Sequence, residues 1–405
     1  MSFLFDEYRH TPLLEEAWLP QQVQDEIALI LEDIVAAQQA DHGWPMHPLD
    51  MESYPSSETK WALYCGAAGV IIATEILRKA RYDAPDLRRN LPAIYQNYLK
   101  DPDVSAAELG LQIGELGILT PAILSDLNNN ELRERADACM SLMIDHPAYE
   151  ITSGQTGMMH AALSLYEATN DERWKAHYLN GAEALWSSWT EAREGDGWFW
   201  QSEIFGQKRS YLGACHGVVG NMGALLRGAE LLPADWISTA LERTVMTLDA
   251  YAVRSSRKAN WSVCKNSDKS KLLVHWCHGA PGIVTALREA PGGNPGLATE
   301  IDQILREASM LVWEAGPLAK GPGLCHGTAG NGYTFLTMYR RDGEVHWLEK
   351  ARAFAMHAIR QCQESRKKFT RGRYSLMTGD AGLAVYLHHC LHPDDVRFPG
   401  LEIFS

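Results

Sequence analysis

Most of the chain places apolar residues three and four positions apart, and strand signals are weak. Three segments carry the pattern clearly: VQDEIALILEDIVAAQQA (23–40), EIDQILREASMLVWEAG (300–316) and WLEKARAFAMHAIRQCQES (347–365). Residues at this spacing line one face of a helix. The pattern therefore predicts a nearly all-α protein.

A second regularity lies on top of the helical one, because the pattern Gly-x-x-Gly recurs seven times, each time ahead of a short apolar stretch. One such pair is common by chance in a chain with 33 glycines. Seven copies at a spacing of one helical pair indicate a structural repeat. The first glycines are Gly66, Gly114, Gly154, Gly217, Gly279, Gly327 and Gly379, which lie 48, 40, 63, 62, 48 and 52 residues apart.

Each interval contains the Gly-headed apolar helix and then a more amphipathic one, such as NELRERADACMSLMID (130–145). The first 40 residues supply one further amphipathic helix, which completes a seventh pair. Apolar residues all round a helix indicate burial on all sides. We therefore predict one α/α toroid domain over residues 1–405, with seven inner Gly-headed helices and seven outer helices. The two longest intervals predict insertions, one of them a loop at 258–273.

Charge and composition narrow the class of protein. The net charge of −14 gives no general attraction for nucleic acid or for an anionic membrane. No apolar run approaches the length of a membrane span, and the N-terminus lacks the pattern of a signal peptide. Eight cysteines are too sparse for a disulfide scaffold, so we expect a cytoplasmic protein in a reducing compartment.

Cys-His directly precedes the first glycine in three consecutive repeats. The repeats therefore place possible metal-binding or catalytic side chains at equivalent positions. A single Cys-His pair would be explained sufficiently by a cysteine packed in the core and a histidine that caps its loop. Three copies at the same corner predict a shared zinc site, since Zn²⁺ prefers thiolate and imidazole, and catalytic sites use three protein ligands. The spacing leaves open which of the six side chains bind: Cys215, His216, Cys277, His278, Cys325 and His326.

Three stretches resemble the lanthionine synthetase C-like proteins, and most of all their eukaryotic-type branch: LLVHWCHGAPG (272–282), LAKGPGLCHGTAGN (318–331) and RFPGLEIF (397–404). The resemblance extends from about Gly66 to the C-terminus. It implies one Zn²⁺ per chain, held by Cys277, Cys325 and His326. The fourth position of the ion would take water or a substrate thiol.

The same resemblance implies that His216, in the segment G-x-x-H-G, is an acid/base rather than a metal ligand. The chain departs from the family in carrying Cys215, where a small residue is usual, and we expect a packed thiol there. We expect His278 to brace its loop or to support the metal ligands. Glu150, where lanthipeptide cyclases carry Asp, would tune or protonate His216; the alternative is a solvated acid at a helix end.

The implied activity is addition of a thiol to dehydroalanine or dehydrobutyrine residues in a peptide or protein, forming a thioether. The thiol would be glutathione in the eukaryotic-type branch. Because glutathione has two carboxylates, its site needs cations, and Lys320 is the first candidate. Further candidates are Lys368 or Arg371, from the basic run RKKFTRGR (366–373), and Arg9. For a run of charged residues, the default interpretation is a solvated loop.

Three alternatives remain open at this point. The first is a lanthipeptide cyclase that closes thioether rings within one peptide, which would need a precursor peptide and a dehydratase. The second is a non-catalytic protein that binds zinc and glutathione. The third, a glycan-processing toroid, ranks last, because no paired carboxylates accompany the Cys-His corners.

Overall fold

The computed structural model describes residues 4–51, 58–104, 108–192, 196–204, 206–268, 272–291 and 295–402. These ranges contain fifteen α-helices and three two-stranded antiparallel hairpins. The helices are α1 Pro20–Ala37, α2 Pro48–Met51, α3 Ala67–Lys79, α4 Leu91–Lys100, α5 Leu116–Ser125, α6 Asn130–Met143, α7 Gln155–Thr169, α8 Glu172–Ser187, α9 Val218–Arg227, α10 Ala234–Tyr251, α11 Ala280–Ala286, α12 Pro295–Ala315, α13 Thr328–Asp342, α14 Val345–Phe369 and α15 Asp380–Leu391. The strands are β1 Thr190–Glu191, β2 Trp198–Phe199, β3 Ser202–Ile204, β4 Gln207–Arg209, β5 Ala252–Ser255 and β6 Lys258–Trp261.

Seven helices form the inner ring, and each begins just after a Gly-x-x-Gly start. In order they are α3, α5, α7, α9, α11, α13 and α15, each of which contacts the next, and α15 contacts α3 to close the ring. Their residues are almost all buried, as in α15, where Asp380 through Leu387 have no exposed member. The predicted toroid is confirmed.

The outer ring consists of α1, α4, α6, α8, α10, α12 and α14, each packed against an inner helix. These helices are amphipathic; α1 buries Val23, Ile27, Ile30 and Ile34 and exposes most of its polar positions. Proline at its first position fits there, because that amide has no partner within the helix. As predicted, α1 supplies the seventh outer helix and packs on α15 at the other end of the chain.

The second glycine of every repeat is explained by a close backbone approach. A Cβ placed there would lie 1.6–2.2 Å from the carbonyl oxygen of the residue six positions earlier, in all seven repeats. No real side chain tolerates such a contact, so only glycine lets the preceding loop fold back onto the helix start. The repeat motif is thus a packing requirement of the fold and carries no chemistry of its own.

The loops that precede the inner helices are tied to one another by backbone hydrogen bonds that run round the whole mouth of the ring. We call the residue two positions before each first glycine the corner residue: Tyr64, Gln112, Thr152, Cys215, Cys277, Cys325 and Met377. The N–H···O distances are 2.8 Å (Tyr64 to Gln112), 2.9 Å (Gln112 to Thr152), 2.9 Å (Ile151 to Cys215), 3.4 Å (Cys215 to Cys277), 3.2 Å (Cys277 to Cys325), 2.8 Å (Cys325 to Met377) and 3.1 Å (Met377 to Tyr64). Because main-chain groups make these bonds, the corners hold their positions whatever side chains they carry.

The two longest intervals carry the hairpins. The predicted loop at 258–273 is wrong over its first residues, since Lys258–Trp261 forms β6 and pairs with β5. Residues 269–271 of that prediction lie outside the described residues. Among the helices that the structure describes, none combines the length and the apolarity that a membrane crossing would require.

Candidate metal centre and acid–base pair

Two adjacent corners, before α11 and α13, bring three possible metal ligands together. The ligand atoms of Cys277, Cys325 and His326 all lie within 4.8 Å of one another. Both cysteines are buried, and a backbone bond of 3.2 Å from the Cys277 N–H to the Cys325 carbonyl fixes the two loops. Gly279, which ends the first loop at φ 97°, is in the region where only glycine is unstrained. The sequence resemblance implied this same trio.

The donor set fits zinc. Zn–S and Zn–N bonds of about 2.3 and 2.0 Å put the donors of one tetrahedral ion roughly 3.3–3.8 Å apart, within reach of the observed spacing. Two sulfurs and an imidazole are the soft ligands that select zinc over Mg²⁺ or Ca²⁺. Three protein ligands also leave one position open, as in catalytic zinc sites. We therefore take Cys277, Cys325 and His326 as the residues that would hold the ion.

The two thiols are coupled. The pKa of Cys325 is well below its ordinary value, first because the Cys277 thiol donates a hydrogen bond to it and then because His326 and Tyr64 also favour the thiolate. The same bond raises the pKa of Cys277. Tyr64 donates its hydroxyl to the Cys325 sulfur, and burial raises the pKa of this phenol. The pair is thus predisposed to carry negative charge where a cation would bind.

The neighbouring corners hold an acid–base pair. His216 donates from Nδ1 to Oε2 of Glu150 over 2.7 Å, and Glu150 is fully buried, with 0% exposure. Its carboxylate also accepts the backbone N–H groups of Thr152, at 2.8 Å, and Ser153, at 2.5 Å. The side chain of His216 is 24% exposed. The alternative of a solvated acid at position 150 is excluded.

The electrostatics favour a charged pair. Burial alone would lower the pKa of His216, but Cys215 and Glu150 outweigh it and hold the pKa well above the ordinary value. Burial would raise the pKa of Glu150, yet His216 and the two backbone N–H groups lower it. The arrangement therefore holds a proton on the imidazole and a negative charge on the carboxylate.

The acid–base pair lies beside the metal trio. The His216 and His278 rings are 5.5 Å apart between centroids, and His278 directly follows Cys277. The backbone N–H and carbonyl of His278 both bond to His275, at 3.2 and 2.9 Å, as expected for a residue that braces its loop. Burial, then the charge of His216, lowers the pKa of His278 to about 4, so this ring is neutral.

Cys215, which departs from the family pattern, is packed as expected but has polar neighbours. It is 2% exposed, and its sulfur contacts the Thr152 hydroxyl at 3.1 Å. Its ligand atom also lies within 4.8 Å of those of Glu150 and His216. The mouth therefore holds two convergent groups of three donors, side by side.

The candidate glutathione contacts fall into two places. Lys320 and Lys368 line the same cavity, of about 590 Å³. Arg371 lines a separate depression with Asp33 and donates to the Met46 carbonyl at 3.4 Å, so the structure does not bring it to the lysines. The physical reason is that α14 continues to Phe369, which turns the rest of the basic run toward α1.

Arg9 lies beside Lys320, because its carbonyl accepts the Ala319 N–H at 2.9 Å; its own guanidinium is 3.5 Å from Asp6. The pKa of His275 is lowered to about 3, first by burial and then by the charge of His326. Lys320 and Arg9 are among the other charges that lower it. The His275 ring is 6.1 Å from that of His326. Both cations therefore act on the surroundings of the metal trio.

Two arginines of the basic run are structural, so the default of a solvated loop does not hold for the whole run. Arg373 is 7% exposed and forms a bidentate pair with the buried carboxylate of Asp50. Arg366 contacts Asp33 at 3.4 Å and Asp380 at 3.1 Å. These arginines join the end of α14 to α1, α2 and the start of α15.

The described part of the tail, residues 397–402, supports the metal loop. Phe398 stacks on Trp276, the residue before Cys277, with ring centroids 4.3 Å apart and planes 8° apart. Arg227 donates to the Leu401 carbonyl at 2.9 Å, and Arg288 pairs with a tail carboxylate. The tail residues after 402 lie outside the described residues.

Sequence reasoning missed two contributors to the site. Tyr64 holds the Cys325 sulfur, and the backbone at Thr152–Ser153 holds Glu150. Tyr64 was detectable in principle, because it occupies the corner position of the first repeat, where later repeats carry cysteine. The backbone donors have no signal in the sequence, since any residue type supplies an N–H group.

The fold and site define a class: an α/α toroid whose mouth carries a Cys₂His candidate metal centre next to a His–Glu pair. The family model described as Lanthionine synthetase C-like protein matches residues 49–403. The chain therefore belongs to the lanthionine synthetase C-like family.

Individual relatives agree with this assignment. Glutathione S-transferase LANCL1 of Danio rerio is 27% identical over 260 residues, which are 63% of this chain and 62% of that protein. LanC-like protein GCL1 of Arabidopsis thaliana is 36% identical over 143 residues, which are 35% of this chain and 33% of that protein. Each alignment thus spans less than two thirds of the relative's length. Among solved structures, nisin cyclase has the same fold, with a TM-score of 0.61 at 17% identity over 87% of this chain and 94% of that chain.

Proposed function

We propose that this protein adds the thiol of glutathione to a dehydroalanine or dehydrobutyrine residue of a peptide or protein, using one zinc ion per chain. The observation that carries the proposal is the convergence of Cys277, Cys325 and His326 beside the His216–Glu150 pair. The name of the Danio rerio relative, a glutathione S-transferase, supports the choice of thiol. Eight free cysteines support a reducing compartment such as the cytoplasm.

When bound, zinc lowers the pKa of a coordinated thiol and supplies it as the nucleophilic thiolate. In the addition, a bond forms between this sulfur and Cβ of the acceptor, and the π bond between Cα and Cβ breaks. The electron pair moves onto the carbonyl as an enolate. Product formation then requires a proton at Cα, so the site needs a general acid.

His216 is the group suited to deliver that proton. Its Nδ1–H donates to Glu150 at 2.7 Å, so the proton delivered to the acceptor would come from the other ring nitrogen. The raised pKa of His216, set by Cys215 and Glu150 against the effect of burial, keeps the ring protonated near neutral pH. Glu150 acts through His216 and is a positioning residue. A well-placed general acid contributes about 10²- to 10⁴-fold in rate.

Glutathione would lie in the cavity that Lys320 and Lys368 line, with its carboxylates toward the two ammonium groups. Arg9 is the third candidate cation, since it lies beside the Lys320 segment. Arg371 lines a different depression, so we assign it no contact.

The proposal is tested by incubating the purified protein with glutathione and a dehydroalanine-containing peptide and following the peptide mass. We expect a gain of one glutathione, which Cys325→Ala abolishes. Cys139→Ala, which removes a buried thiol of α6 far along the chain from these corners, is the matched control and should retain the activity. Equal product from Cys325→Ala and wild type would contradict the proposal.

The same assay distinguishes the alternatives. Loss of a peptide cysteine in a dehydrated peptide, without added thiol, would indicate a lanthipeptide cyclase. Zinc retained with no thioether from either substrate would indicate a binding protein. Elemental analysis checks the metal separately, and clearly less than one zinc per chain would contradict that part of the proposal.

A further inference from the structure

We propose that Glu150, Cys215 and His216 form a second, inhibitory metal site beside the first. Their ligand atoms lie within 4.8 Å of one another, the same limit that the trio of Cys277, Cys325 and His326 meets. One sulfur, one imidazole nitrogen and one carboxylate oxygen are donors that zinc accepts. The site depends on Cys215, so a chain with a small residue there would lack it.

The position of the three side chains allows an ion to enter. Glu150 is fully buried and Cys215 is 2% exposed, whereas His216 keeps 24% of its side chain open. An ion therefore approaches along the imidazole and meets the other two donors behind it. The Thr152 hydroxyl contacts the Cys215 sulfur at 3.1 Å and can keep that contact, because a sulfur has more than one lone pair.

The charge of the bound group suits a divalent cation. When a Zn²⁺ ion enters, the His216 nitrogen and the Cys215 sulfur that bind it give up to solvent any proton they carry. The product is a carboxylate, a neutral imidazole, a thiolate and the ion, with a net charge of zero. No unpaired charge is left in the buried mouth, which would be costly.

The second site should be weaker than the first. The Glu150 carboxylate already accepts N–H bonds from Thr152, at 2.8 Å, and Ser153, at 2.5 Å, and a bond from the Ser153 hydroxyl at 3.0 Å. A metal must share these oxygens. The site therefore fills only after the Cys₂His centre, when zinc exceeds one equivalent.

Occupation of this site leaves His216 as a metal-bound neutral imidazole, which cannot donate a proton as the imidazolium does, so it should inhibit the reaction. This consequence rests on the proposed function, whereas metal binding itself does not. Excess zinc would thus slow an enzyme that needs one zinc ion.

The binding test uses Zn²⁺ and Co²⁺ alone. After equilibrium dialysis with excess Zn²⁺ and elemental analysis, we expect two ions per chain in wild type and one in Cys215→Ala. Cys325→Ala should lose the first ion and keep the second, and Cys139→Ala should match wild type. With Co²⁺, the second equivalent should add thiolate-to-metal absorption in wild type and not in Cys215→Ala. A single ion in wild type, or two in Cys215→Ala, overturns the proposal.

The activity test compares thioether formation at one equivalent and at excess zinc. We expect the wild-type rate to fall by at least about tenfold, as for loss of a general acid, and the ratio for Cys215→Ala to stay within about twofold. Equal inhibition of both proteins would overturn the inhibitory role. If neither protein forms a thioether, the proposed function fails, and the stoichiometry still decides the metal site.

Discussion

Replacing Glu150 with Gln tests the electrostatic link between the carboxylate and His216. At the observed 2.7 Å, the attraction between unit charges is about 6 kcal/mol at an effective dielectric constant of 20. Burial of the pair opposes part of this attraction. We therefore expect the variant to lower the pKa of His216 and to lower the neutral-pH rate by about 10²-fold.

The assay is the pH dependence of kcat/KM for thioether formation. Because the fold raises the pKa of His216, the protonated acid is present at and below neutral pH and is lost as pH rises through that pKa. Glu150→Gln should therefore move the alkaline limb to lower pH, and Glu150→Asp should restore most of it. An unchanged limb and rate in Glu150→Gln would refute the reasoning.

The same substitution has a structural effect that must be measured alongside. Each Glu150 oxygen accepts a backbone N–H, Oε2 from Thr152 and Oε1 from Ser153. In Glu150→Gln, one of these oxygens is replaced by an NH₂ group, which then lies opposite a backbone N–H and cannot accept its hydrogen bond. The unpaired group should cost about 1–3 kcal/mol of stability, which chemical denaturation separates from the change in rate.

Three further predictions follow from neighbouring contacts. Tyr64→Phe removes the hydroxyl that bonds a metal-site sulfur, so the rate should fall severalfold while elemental analysis still finds zinc. Asp50→Ala leaves the buried Arg373 guanidinium unpaired and should cost about 3–5 kcal/mol in chemical denaturation, largely restored by adding Arg373→Met; no loss would contradict a buried pair. Lys320→Ala should raise KM for glutathione about tenfold, equivalent to 1.4 kcal/mol, and Arg371→Ala should leave it within about twofold. The reverse order in initial-rate measurements would contradict this assignment of the cations.

The repeat made the fold predictable from one sequence. Each second glycine meets a main-chain oxygen so closely that no other residue fits, and the fold therefore leaves a mark that recurs in every repeat. The same register placed Cys215, Cys277 and Cys325 at equivalent corners. In a repeat protein, the spacing of the motif along the sequence reflects the arrangement of the repeats in space. The ring was therefore predictable from the sequence.

The basic residues were less predictable, since charge spacing says little about where a long side chain ends. Arg371 and Lys368 are three positions apart in sequence, yet they line different depressions. The end of α14 lies between them, and where a helix ends depends on its tertiary contacts. Arg373 looked like a surface charge and proved to be a buried ion pair.

By itself, the sequence determined the toroid, the seven corners and the set of six Cys and His side chains that are candidate metal ligands. The spacing left open how that set divides, and the family resemblance implied one division; the tertiary structure supplies the distances between neighbouring corners on which the division depends. It brings Cys277, Cys325 and His326 into one group and joins Cys215 and His216 to Glu150 in another. Glu150 lies in the preceding repeat, 66 residues away, and its bond to His216 exists only because consecutive repeats pack side by side.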